Sequence, residues 1–412
     1  MKLAFLNPSG NTGGAERVLL DLLWSLRRRA PEVETHLILG ESGPLERAAA
    51  DLGAKVRVLP FAANVSGVGD SALRTPGSKR SRLKFLANGV STLPATLRYV
   101  RQLRRELDRI RPDLVHSNGM KMHLLAGPAT WNRHPLVWHV HDFPSLRPMA
   151  GRLLRRLSRF PTAAIAISRA VEADLRRSCP KLRRVTTILN AIDVERFCPG
   201  PGDPGLLDRL AGLPDRKPAP VRVGLIATYA RWKGQDLFIR AASRLMASSF
   251  TVPVRFYLIG GPIYRTAGSQ FSTEELRTMA ANAGLEGHLG MIPFQADPLP
   301  IYRALDVVVH ASTLPEPFGL TIAEAMSCGR CVAVANAGGA AESIRSGVDG
   351  IATVPGSVDS LTEVLTQLVR SPSKRDAVAR AARETALRAF DRNRLAGEFL
   401  QLARSICPKS VN

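Results

Sequence analysis

The sequence predicts an α/β protein built from two doubly wound domains, and three observations carry that prediction. Short β-branched runs alternate with helical patterns along almost the whole chain. A stretch dense in Pro and Gly interrupts the alternation near residue 198. The composition, 45% hydrophobic and 22% charged over 412 residues, is that of a globular chain long enough for two domains. Strands alternating with helices form βαβ units around a parallel sheet covered on both faces.

In the first half the strands are expected at residues 3–6, 35–39, 56–59, 113–116, 136–140, 162–167 and 185–189. The clearest helical pattern sets Leu93, Leu97, Val100, Leu103, Leu107 and Ile110 on one face at spacings of three and four. Residues 198–220, CPGPGDPGLLDRLAGLPDRKPAP, then break both periodicities and are expected as a linker. The alternation restarts with strands at 221–227, 254–259, 306–311 and 331–335. Helices are expected at 235–246, 274–283, 321–326 and 361–369, and a helical tail at 373–406 with an interruption near 390–393. The domains are therefore placed at 1–198 and 221–385, with 199–220 between them. In open α/β sheets ligands bind outside the C-terminal ends of the strands, so a cleft between two such sheets is the expected site.

Composition excludes several classes. Five scattered cysteines form no disulfide framework, which points to a reducing, cytoplasmic setting. No apolar run approaches the roughly 18–20 residues of a membrane span. The opening MKLAFLNPSG is too short in apolar residues for a signal segment and reads as a buried first strand. The net charge of +22 comes from 57 Lys and Arg, ten of them Lys, against 35 acids. A coding habit of a G+C-rich genome accounts for part of such an Arg excess; a positive face for an anionic partner is the functional account. No aromatic repeat or zinc spacing accompanies the charge, so nucleic acid is not expected as a partner. The basic residues Arg74, Lys79, Arg80, Arg82 and Lys84 precede the 93–110 pattern. In a globular domain that apolar face packs inward; the alternative is that the basic loop rests on anionic lipid, a peripheral contact at the inner face of a membrane.

The densest chemical signal is EPFGLTIAEAM, residues 316–326, directly after the run DVVVHAST. Glu316 precedes a proline and is not expected to be helical. Phe318, Gly319, Leu320 and Thr321 open a helix whose unpaired N–H groups and dipole suit a pyrophosphate. Gly319 permits close backbone approach and Thr321 adds a hydroxyl, while Glu316 and Glu324 flank the phosphate position and can accept hydroxyl hydrogens from a sugar.

The arrangement of Glu316 and Glu324 with seven residues between them, and PFG after the first, resembles the retaining glycosyltransferases of family 4, which have the GT-B fold. NTGGAERVLLDLL (11–23), DLVHSNG (113–119), HVHD (139–142), IAIS (165–168), LNAIDVERF (189–197), ARWKGQD (230–236) and GGAAESI (338–344) look like further landmarks of that family, in order. The resemblance implies transfer of a sugar from a nucleotide-sugar to an acceptor hydroxyl of a glycan, a lipid-linked or a small molecule. It also implies retention at the anomeric carbon, with neither metal nor cofactor. Carried onto this chain, it makes Glu316 the holder of the donor sugar's hydroxyls, Glu324 the ribose ligand and Lys233 the pyrophosphate cation. It sets His141 near the donor sugar, and Gly13 and Gly14 in a loop lining the cleft. It also implies that a C-terminal helix, 386–412, packs back on the first domain.

Two positions depart from the family pattern. Its usual phosphate Arg is Thr228 here, and Arg231 is the substitute expected to supply the charge. Its Asn-Gly is Asn190-Ala191, which questions a turn needing positive φ. A nucleotide-sugar epimerase and a non-catalytic donor-binding protein are the alternatives. Among weaker signals, Cys328-Gly-Arg-Cys331 is expected to be structural. His139, His141 and Asp142 lack a further ligand cluster, so no metal is expected. Gly260-Gly261-Pro262 reads equally as a nucleotide contact or an ordinary turn.

Overall fold

The structure, a computed structural model, describes residues 1–62, 79–248, 252–262 and 268–407, and of residues 79–92 the backbone course alone. Arg74 and the side chains of Lys79, Arg80, Arg82 and Lys84 therefore lie outside the described residues. The chain forms two compact units, one from Met1–Asn190 together with the segment from Arg392 onward, the other from Ala191–Asp391.

The first unit is built on a parallel sheet of β1 (Lys2–Asn7), β2 (Glu34–Leu39), β3 (Lys55–Val58), β4 (Leu114–Asn118), β5 (Leu136–Val140), β6 (Ala163–Ala166) and β7 (Val185–Thr187). The spatial order is β3-β2-β1-β4-β5-β6-β7, with Phe5 of β1 in register with Leu37 on one side and His116 on the other. β4, β5 and β6 are buried along their whole length, as strands covered on both faces must be. The order reverses between β1 and β4, and a crevice opens at such a switch point at the strands' C-terminal ends. Helix Gly14–Arg29 leaves β1 there, burying Val18, Leu19, Leu22, Leu23 and Leu26, and its last turn carries Arg27, Arg28 and Arg29 where the dipole favours cations.

The second unit repeats the plan with β8 (Val221–Ile226), β9 (Val254–Ile259), β10 (Leu289–Ile292), β11 (Val307–His310), β12 (Cys331–Ala335) and β13 (Ile351–Thr353). Its parallel order is β10-β9-β8-β11-β12-β13, so the switch point falls between β8 and β11. Val223, Leu225, Phe238, Phe256, Leu258, Val307 and Val309 form its core with the helices that cover the sheet.

Three expectations are corrected. Residues 199–220 are not a free linker: the Leu206–Ala211 helix buries Leu207 and Asp208, and Asp208 takes a 2.5 Å ion pair from Arg255 and a 2.6 Å hydrogen bond from Tyr257, both on β9. The unit boundary accordingly falls at Asn190–Ala191 rather than after residue 198. The return to the first unit begins at Arg392, not at 386, because helix Pro372–Ala389 stays with the second unit, where Arg383 Nη1 donates to the carbonyls of Val194 and Phe197 at 3.0 Å. The returning helix, Leu395–Ile406, packs on the first unit: the Phe399 ring stands 6.1 Å from Phe5, and Ala396 N–H donates to Ser25 Oγ at 3.0 Å. Third, the 93–110 face is split. Leu103, Leu107 and Ile110 are buried in helix Lys79–Ile110, whereas Leu93 and Leu97 are 54% and 47% exposed among the described residues. The questioned turn at Asn190-Ala191 uses no positive φ; among non-glycine residues described, that region is entered at Arg111 and Asn132.

Candidate functional site

The second unit's switch point gathers side chains from two turns. After β8 the chain makes a single 3-10 turn, Arg231–Lys233, and Gly234 then takes φ 77° to start helix Gln235–Ala247. A Cβ on Gly234 would stand 2.1 Å from the carbonyl oxygen of Ala311, so glycine lets this turn lie directly against the exit of β11. Thr313 N–H donates to Trp232 O at 2.8 Å and ties the two turns together. Across this join Lys233 Nζ reaches Glu316 Oε2 at 2.5 Å, while lying 4.1 Å from the centre of the Trp232 ring.

Glu316 Oε2 also faces Ser312 Oγ at 3.2 Å and His310 Nε2 at 3.4 Å. Among the described residues no hydrogen bond reaches Oε1, and that oxygen is not among the buried unpaired atoms. Burial raises the carboxyl's proton affinity, but the Lys233 ammonium and His310 outweigh it and hold the group well below the usual carboxylate range. Glu316 is therefore ionised at neutral pH: it accepts hydrogen bonds and has no proton to give.

Gly319 follows at φ 89°, with a hypothetical Cβ 2.8 Å from Ile322, and caps helix Leu320–Ser327. Leu320 and Thr321 in its first turn are half-buried, and N–H groups at such a position lack intrahelical acceptors. Phe318 points elsewhere: it is 3% exposed and meets Phe390 edge-to-face at 5.7 Å, so its side chain belongs to the core. Glu324 is also buried, at 4% exposure, and accepts a 2.6 Å hydrogen bond from Tyr302. The structure thus brings Glu316 and Lys233 together, while Tyr302 accounts for an acid on an apolar helix.

Arg231, expected to supply the charge in place of the missing Arg, is engaged with its own neighbours here. It pairs with Glu275 at 2.7 Å, donates to Gly268 O at 3.1 Å and covers the Phe271 ring at 4.4 Å. Thr228 Oγ1 is buried without a partner, and its carbonyl accepts from Gln235 Nε2 at 2.7 Å. Gly261 O accepts from Tyr229 N–H at 3.0 Å, so the glycine pair braces this turn. Burial pushes the Cys328 and Cys331 thiols up to about 12, as structural cysteines.

The first unit has a polar chain of its own at the ends of β1, β4 and β5. His141 follows β5, and its Nε2 stands 2.6 Å from Asn118 Oδ1. Asn118 Nδ2 donates to Asn7 Oδ1 at 2.8 Å, and Asn7 Nδ2 reaches Glu16 Oε1 at 3.3 Å. Glu16 Oε2 accepts from Gly13 N–H at 3.0 Å, so this carboxylate caps the start of its own helix, which Gly14 begins. Burial, set against the nearby Asp142 charge, lowers His141 to about 4. His139 lies in the core, its Nδ1 3.1 Å from His116 Nε2, and Asp142 pairs with Arg147. Among the described residues no three His, Cys, Asp or Glu side chains are grouped to hold a metal ion.

Sequence reasoning missed Asn7, Glu16, Asn118, Tyr302, His310 and Ser312 as members of these networks. Asn7, Asn118 and His310 share a legible signal: each is the polar last residue of its strand.

Two family models divide the chain: "Glycosyltransferase Family 4" matches residues 12–196 and "Glycosyl transferases group 1" matches residues 216–385. The D-inositol 3-phosphate glycosyltransferase of Rhodococcus opacus is 31% identical over 202 residues, which are 48% of this chain and 43% of that protein. The chain thus matches less than half the length of that curated relative. The Anabaena protein Alr3699/HepE in complex with UDP-glucose is 26% identical with a TM-score of 0.76, over 98% of this chain and 100% of that one. Sucrose-phosphate synthase from Thermosynechococcus elongatus, at 16% identity, shares the fold with a TM-score of 0.75 over 98% of each chain. Family models on both halves and two parallel-sheet units of matching fold establish that this chain belongs to the family 4, group 1 glycosyltransferases of GT-B architecture.

Proposed function

We propose that the protein transfers a sugar from a nucleotide-sugar to an acceptor hydroxyl, with retention at the anomeric carbon and without a catalytic metal. The observation that carries this reading is the Lys233–Glu316 contact at the switch point of the second sheet. Lys233 takes the donor's diphosphate, helped by the first turn of helix Leu320–Ser327, so fixed positive charge stabilises the departing group. Glu316, ionised and with Oε1 open, accepts a hydroxyl of the donor sugar. Lys233 and His310 hold Glu316 well below the usual carboxylate range, which makes it a poor base, so the leaving diphosphate oxygen is the group proposed to take the acceptor's proton. Glu324 serves the ribose through whatever capacity Tyr302 leaves it; the first unit, with the Gly13-Gly14 turn, serves the acceptor, and its His141 serves the donor sugar. The Anabaena protein's complex with UDP-glucose makes UDP-sugars the first donors to test.

A thermal-unfolding screen against nucleoside diphosphates and nucleotide-sugars tests the donor assignment. A donor at about 100 times its Kd adds roughly 2.7 kcal/mol of stability. Lys233→Ala should weaken that donor by about 10–100-fold, the worth of a hydrogen bond to a charged group. A variant with wild-type donor affinity contradicts the assignment. Donor consumed without any acceptor points instead to the epimerase, and donor bound but never consumed to the binding protein.

The acceptor is proposed to be presented at an anionic membrane surface, because exposed Leu93 and Leu97 share helix Lys79–Ile110 with exposed Arg98, Arg101 and Arg105. Each Arg near such a surface contributes about 1 kcal/mol. Anionic liposomes should therefore float the protein at low salt and release Arg98→Glu/Arg101→Glu/Arg105→Glu. An absence of flotation of the wild type ends this part of the reading. Among the described residues no helix is long and apolar enough to cross a membrane.

A further inference from the structure

The polar chain in the first unit has a direction. Glu16 is an acceptor on both oxygens: Gly13 N–H occupies Oε2, so the Asn7 atom at Oε1 must be the amide nitrogen. Asn7 Nδ2 also donates to Ser9 O at 2.7 Å, which fixes the same orientation independently. Asn7 Oδ1 then faces Asn118 and accepts from its Nδ2, and Asn118 Nδ2 meets a second acceptor, Ala15 O, at 3.4 Å. Each amide is therefore oriented twice, once by its neighbour in the chain and once by a backbone carbonyl. What remains at the end is Asn118 Oδ1, a pure acceptor, 2.6 Å from His141 Nε2.

From this polarity we infer that the Glu16–Asn7–Asn118 relay locks His141 in its neutral Nε2–H tautomer, which makes Nδ1 a fixed acceptor for a substrate hydroxyl and Asn118 a positioning residue. Among the described residues no hydrogen bond reaches His141 Nδ1, and it is not among the buried unpaired atoms. The groups packed about the ring agree with a neutral imidazole: His139 lies 4.2 Å away centre to centre, His116 and His123 are buried nearby, and Asp142 is paired with Arg147. The carboxylate that starts the relay also caps the helix after the glycine turn. One acid thus sets both the position of the Gly13-Gly14 backbone and the proton position on His141, two strands away.

The use of Nδ1 toward a hydroxyl rests on the proposed transfer reaction; the tautomer does not, and nitrogen-15 NMR of the histidine rings reads it without any substrate. At pH 7 the His141 signals, identified by their loss in His141→Asn, should show a protonated Nε2 and an unprotonated Nδ1. Asn118→Leu removes the acceptor, and the two tautomers should then mix. Should that buried substitution unfold the protein, Glu16→Gln on the half-exposed helix start serves instead, because an amide cannot accept from both neighbours. In whichever variant folds, kcat with donor and acceptor should fall about tenfold with KM changed less than about twofold. An Nδ1–H or doubly protonated ring in the wild type overturns the inference. So does a folded variant that keeps the wild-type ring signature.

Discussion

Replacing Glu316 with Gln should leave a folded protein whose transfer rate is lower by at least about 10²-fold, the scale of losing one preorganised electrostatic contact in a closed site. The amide keeps the size of the side chain but loses the charge that Lys233 meets at 2.5 Å. An ammonium largely shielded from solvent is then unpaired, so the variant should lose about 1–3 kcal/mol of stability. The same loss frees Lys233, and whichever nucleoside diphosphate the wild type binds in the thermal screen should bind the variant at least as well. Calorimetric titration with that diphosphate beside a transfer assay separates the two effects. Wild-type turnover in Glu316→Gln would remove the site proposed for the second unit. The wild-type pair sets a pH limit as well. The Glu316 carboxyl lies below its ordinary 4.5 when folded, so its contribution is complete above that value and fades as pH falls through the lower folded value.

The second large effect is acid sensitivity concentrated in the first unit, where, among the described residues, four histidines are lowered against one, His288, in the second. His116 and His123 are lowered to about 3 and His141 to about 4, each first by burial, and His139 lies well below 6.5 for the same reason. These groups stay neutral when folded and take protons on unfolding. Stability is then full above pH 6.5 and falls as pH drops from there toward the folded values. The loss is roughly 1 kcal/mol per histidine for each pH unit, several kcal/mol by pH 5, against a typical total of about 5–15 kcal/mol. Hydrogen exchange on the intact protein at pH 7, 6 and 5 should show β4 and β5 losing protection before β8 and β11. Equal protection in both sheets across that range would contradict the assignment.

Much of the architecture was legible because a buried parallel strand announces itself. β5, β9 and β12 fall at the residues their apolar runs mark out. β10 and β13 did not, being four and three residues long, the former with a glycine inside it. The 199–220 stretch misled because its anchoring to the second unit depends on Asp208 meeting Arg255, an ion pair within a run that otherwise reads as loop. At the site, Glu316 and Lys233 were legible from motif and turn chemistry, since each sits where a strand gives way to a helix. Arg231 was not: its partner Glu275 is 44 residues away, and one-dimensional spacing carries no record of which acid a flexible guanidinium will choose. Phe318 shows the opposite failure, a residue inside the 316–326 motif whose side chain packs against Phe390.

The return of the chain at Arg392 has a consequence for biogenesis. Phe5 is translated well before Phe399, which covers it, and Trp24 well before the Arg392 guanidinium that stacks on it at 3.7 Å. Domains usually consolidate in the order they are translated. Here the unit begun at Met1–Asn190 stays unfinished until the whole of Ala191–Asp391 and the segment after it have emerged, so the nascent chain carries an uncovered apolar face while the second unit is made.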